Sequence, residues 1–133
     1  MNPIPFWDQH GLTALVRTVL TAAPVDPHAT ASTGRMFLTT YQIAIEIERL
    51  RADVLAAFAT AFPPGGTGGA GTGTHAFTKY LAQNLSRLIR NGSVTDIEMR
   101  FLAGQHLTNL SFDNEGEAMD VTTRQRVTMF RLV

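Results

Sequence analysis

Residues 109–133, NLSFDNEGEAMDVTTRQRVTMFRLV, decide how the rest of the chain is read. They are rich in Val, Thr, Phe and Met, and Asp113, Asn114, Glu115 and Gly116 interrupt them at one point. β-branched and aromatic residues on either side of an Asp/Asn/Gly cluster are the signature of strand, turn, strand. The final strand is expected over Arg126–Leu132. Upstream, DIEMRF (residues 96–101) alternates as a half-buried strand does, but Thr95 and Glu98 also have capping-box spacing. That segment reads equally as strand or helix start.

Working outward, the amino-terminal two-thirds of the chain is helical in pattern. Leu12, Leu15, Val16, Val19 and Leu20 recur at helical spacing, with Asp8 as the expected cap. Residues 24–34 hold two prolines and read as a connector. A second, longer helix is expected from Thr39, whose capping-box partner is Gln42, to the stop at Pro63-Pro64. Glu46 with Arg49, and Arg49 with Asp53, stand at pairing distance along it. The third helix carries Phe77, Leu81, Leu85, Leu88 and Ile89 as its apolar stripe and ends at Asn91-Gly92. Three helices followed by a small antiparallel sheet or hairpin make an α+β domain. The same order, helices and then a carboxy-terminal hairpin, is that of winged helix-turn-helix domains.

The chain of 133 residues is one domain in size, with a Gly-rich joint at 63–75. Eleven basic residues balance eleven acidic ones, which argues against a strongly electrostatic partner such as bulk nucleic acid or an anionic membrane. The absence of cysteine excludes disulfides, thiolate metal sites and cysteine nucleophiles. No basic-then-apolar leader opens the chain, and the apolar run of residues 12–23 is short and holds Arg17. A cytoplasmic protein with no membrane partner is expected. Ten arginines to one lysine, with abundant alanine, read as a GC-rich bacterial source.

Within the joint, residues 66–71 match G-x-G-x-x-G. A dinucleotide fingerprint needs a preceding strand and an acid about 20 residues on. Here helix and two prolines precede, and Asn91 stands at the later position. A P-loop needs a lysine where Thr74 stands. The stretch reads as a linker, and no cofactor is called for. A weaker anion-site reading uses Gly71, Gly73, Thr74 and His75 at the opening of the third helix, where free N–H groups attract negative charge.

His10, His28, His75 and His106 are scattered and show no metal-ligand spacing. The acids of FDNEGEAMD fail the EF-hand spacing, and no G-x-S-x-G or H-E-x-x-H occurs. A non-enzymatic module is therefore expected. Its leading role is contact with another protein or with itself, as an oligomer or subunit. Phe6, Trp7, Phe130 and Leu132 are the expected contact residues. The alternative is a DNA-binding regulator. Lys79, Gln83, Arg87 and Arg90 recur on one face of the third helix and are side-chain types that read phosphates and base edges. The acidic turn at Asp113–Asp120 weakens that alternative, because it would serve as the wing.

Overall fold

The computed structural model describes residues 5–23, 35–62, 73–108, 110–121 and 126–133. The described residues form an α+β fold with helices first and sheet last. A single turn, α1 (Phe6–Gln9), leads into α2 (Leu12–Thr21). Asp8 lies inside α1 and does not cap α2. The chain turns between them at Gly11, whose φ of 59° is left-handed and suits glycine. A two-residue strand, β1 (Leu38–Thr39), precedes α3 (Thr40–Leu50). The expected capping box is present: Thr39 Oγ1 accepts from Gln42 N at 3.2 Å, and Gln42 Oε1 accepts from Thr39 N at 2.8 Å.

The long second helix of the sequence reading is two helices, α3 and α4 (Ala52–Ala61). Arg51 divides them at φ −141°, ψ 68°, outside the helical region. Beyond the break, Val54 and Phe58 share the core with Ile43 and Ile47; a straight helix would carry Phe58 about 22 Å along the axis from Ile43. It also changes an ion pair. Asp53 joins Arg51 at 2.9 Å and not Arg49, because it no longer lies on the α3 face. Arg49 keeps its expected partner Glu46 at 2.8 Å.

Helix α5 (Gly73–Arg90) ends at Gly92, φ 80°. The ambiguous segment is a strand, β2 (Ile97–Ala103). Glu98 serves the sheet, pairing across to Arg131 at 2.7 Å. The remaining strands are β3 (Leu110–Asn114), β4 (Glu117–Val121) and β5 (Arg126–Leu132). Strands β1, β5 and β2 form an antiparallel sheet in that order, with Leu38 opposite Phe130 and Met99 opposite Phe130 on the other side. β3 and β4 form a separate hairpin turned by Glu115 and Gly116, both at positive φ.

One core lies between the helices and the inner face of the sheet. Leu12, Val16 and Leu20 of α2, Ile43 and Ile47 of α3, Phe77, Leu81 and Leu85 of α5, and Phe130 of β5 are all buried there. An aromatic cluster of Phe6, Trp7, Phe58, Phe62, Phe77 and Tyr80 closes one end, with neighbouring ring centroids 5.0–6.5 Å apart. The hairpin docks on α3. Tyr41 stacks on Phe112 at 5.3 Å, and Asn114 Nδ2 donates to Glu48 Oε2 at 3.1 Å.

Candidate nucleic-acid interface

Burying Phe77, Leu81 and Leu85 against α3 and the core turns the opposite side of α5 outward. Lys79, Gln83, Arg87 and Arg90 all lie exposed on that side. At 1.5 Å per residue, the row from Lys79 to Arg90 runs about 16 Å along the helix. The helix carries no acidic residue. Arg87 is held in place: its Nη2 donates to Asn84 Oδ1 at 3.0 Å, and Asn84 Nδ2 donates to the Tyr80 carbonyl at 2.9 Å. This i,i+3 contact was readable from spacing. On the flank facing β2, the Ser86 hydroxyl approaches Met99 Sδ at 3.2 Å. Among the described residues, Lys79, Gln83 and Arg90 have no ion pair or side-chain hydrogen bond.

Elsewhere the charges are mostly spent on each other. Arg17 pairs with Asp96 at 2.8 Å, Arg49 with Glu46, Arg51 with Asp53, and both Arg100 and Arg131 with Glu98. The Arg17 guanidinium holds the Asp96 carboxyl below its ordinary range, and Arg131, chiefly through its hydrogen bond, does the same to Glu98. The hairpin instead collects unpaired acid: Asp113, Glu115, Glu117 and Asp120 are exposed there. A chain of zero formal net charge thus separates into a basic helix face and an acidic hairpin.

The other sequence-selected residues fall differently. Trp7 is 5% exposed, its indole N–H donating to Thr13 Oγ1 at 2.8 Å, and Phe130 is fully buried. Both are core residues, because their rings fill the space between helices and sheet. Phe6 and Leu132 are half-buried against the same core. Of the anion-site residues, Gly71 lies outside the described residues, as does residue 66–71 glycine patterning. Gly73 opens α5 at φ 64°. The Thr74 hydroxyl donates to Glu48 Oε2 at 2.8 Å. Thr74 and His75 share a recess of about 230 Å³ with Asn114, Glu117 and Asp120. The acids around that helix start oppose an anion there. Sequence reasoning missed Glu48 as the joint of α3, α5 and the hairpin, since its two partners lie 26 and 66 residues away.

Among the described residues no group of three or more His, Asp or Glu side chains is placed to hold a metal ion, and no helix is long and apolar enough to cross a membrane. Comparison of the chain with protein-family models, curated proteins and solved structures finds no match.

Proposed function

We propose that this chain binds duplex DNA by laying the Lys79–Gln83–Arg87–Arg90 face of α5 in the major groove. One observation carries the reading: the row is exposed and free of acid on a helix braced from behind, while most other cations are already paired. A major groove about 12 Å wide admits one α-helix. Arg reads guanine, and Gln reads adenine, by paired hydrogen bonds. The architecture supports it too. A helix, a short strand, further helices, and a late strand returning between the two earlier ones (β1-β5-β2) is the element and strand order of a winged helix-turn-helix domain.

Two departures shape the proposal. A helix-turn-helix joins its helices by three or four residues, whereas α4 and residues 63–72 separate α3 from α5. The hairpin in the wing position is acidic, so it stays off the phosphates. Contact is then confined to α5.

The test is fluorescence anisotropy of a labelled mixed-sequence duplex at low salt. The wild type should bind, and the Arg87→Ala/Arg90→Ala variant should lose at least about tenfold in affinity, as two phosphate or base contacts require. Equal binding by the variant, or none by the wild type, rejects the reading.

A second reading, the protein-contact module, retains one observation in its favour. β2 is an edge of the sheet, and Phe101 and Leu102 on it are each 42% exposed. Burial of Trp7 and Phe130 takes away two of its four expected contact residues. Sedimentation at rising protein concentration separates the two: a strict monomer that binds duplex belongs to the first.

A further inference from the structure

The row on α5 is not uniform. Among the described residues Lys79, Gln83 and Arg90 have no ion pair or side-chain hydrogen bond, but Arg87 is held. Its Nη2 donates to Asn84 Oδ1 at 3.0 Å, and Asn84 Nδ2 donates to the Tyr80 carbonyl at 2.9 Å. Both ends of the Asn84 amide are thereby used. Turning it over would set donor against donor at Arg87 and acceptor against acceptor at Tyr80. The relay starts from a fixed point, since Tyr80 is half-buried and its ring lies against those of Phe6, Trp7 and Phe58.

A held guanidinium suits one kind of contact. Ordering a long side chain opposes binding, and a side chain ordered beforehand avoids that cost. Phosphate contacts carry no sequence information, whereas paired hydrogen bonds to a base edge need the donor plane set. A guanidinium carries its N–H donors in a planar fork. Whichever Nη2 hydrogen Asn84 takes, one parallel pair of donors stays free, at the end of the fork or along its Nε edge. In the major groove guanine offers O6 and N7 side by side, two acceptors that such a pair matches.

We propose that Arg87 is the residue of α5 that selects sequence, by paired hydrogen bonds to O6 and N7 of guanine, and that Asn84 is its positioning residue. The inference rests on the DNA-binding reading above and adds to it the base that is read.

The probes are two labelled duplexes of one mixed sequence, compared by fluorescence anisotropy. The second carries 7-deazaguanine at each guanine, which lacks the N7 acceptor and keeps the Watson–Crick edge. The wild type should bind the guanine duplex tighter by about fivefold or more. Asn84→Ala should cut that ratio by about threefold. A lesion that merely loosened the helix would weaken both affinities together and leave the ratio as it was. The Asn84 contacts lie within α5 and alanine is the better helix former, so the fold should persist, checked by circular dichroism. Arg87→Lys keeps the charge and lacks the fork, and should abolish the preference. Equal affinity of the wild type for the two duplexes, an unchanged ratio in Asn84→Ala, or a preference that survives Arg87→Lys overturns this inference and leaves DNA binding standing. No binding to either duplex rejects DNA binding itself, and this inference with it.

Discussion

Glu98 shows how much one side chain can be asked to hold. It stands opposite Arg131 in the β2–β5 register, bonds to it at 2.7 Å, and also pairs with Arg100 on its own strand. Its carboxyl is held below the ordinary range, first by the Arg131 hydrogen bond. A group depressed in the folded state stabilises fully above its unfolded pKa, about 4.3 for glutamate, and loses that contribution as pH falls through the folded value. Stability measured by urea unfolding should therefore fall on acidification from pH 5 toward pH 3 (about one to two units around that value), and more gently in Glu98→Gln. An identical slope in the variant would assign the acid sensitivity to Asp96 and Asp53, which are shifted the same way. Thr39 is the simpler case. Both hydrogen bonds of its capping box are present, so Thr39→Ala should cost about 1 kcal/mol of unfolding free energy. That residue was legible in the sequence because both hydrogen bonds are to Gln42, three residues on. Glu98 was not, because the same Thr95–Glu98 spacing that mimics a helix cap also fits a strand whose partner lies 33 residues away.

At the scale of elements, legibility follows the same division. Helices α2 and α5 appear where apolar spacing puts them, and α5 ends at its expected glycine. The break at Arg51 was invisible: residues 50–53 hold no Pro or Gly, and both sides are good helix formers. It goes with packing: Val54 and Phe58 beyond it join the core of Ile43 and Ile47, and tertiary demand overrides propensity. The hairpin turn is a local feature and was foreseen. Glu115 at φ 53° and Gly116 at φ 91° make the two-residue turn that matches strand twist. A Cβ at Gly116 would meet nothing within 4 Å, so only backbone strain opposes a larger residue. Gly116→Ala should thus destabilise the hairpin by about 1–2 kcal/mol, read as faster amide exchange in β3 and β4. Slowed or unchanged exchange would mean that the docking of Tyr41 and Glu48, rather than the turn, sets its stability.

For the molecule as a whole, the proposed site was half legible. Spacing alone placed Lys79, Gln83, Arg87 and Arg90 on one face, while composition argued the other way, since equal totals conceal how charges are distributed. Only the folded chain separates paired arginines from free ones. The separation is quantitative: three cations on α5 and an acidic hairpin imply about three released counterions, so log K should fall against log salt with a slope of about −2.7. A slope twice as steep would bring another basic surface into contact. The position of β5 carries a different consequence. It lies between β1 and β2, which share no ladder, yet it is the last of the strands in the chain. A ribosome delivers both flanks before the strand that joins them. Until β5 arrives, β2 is open along both edges, the state in which strands pair with the wrong neighbour. Glu98 and Arg100 set two charges among Ile97, Met99, Phe101 and Leu102, the pattern that discourages wrong pairing of an open apolar strand, so replacing both by Val should lower the soluble yield on refolding.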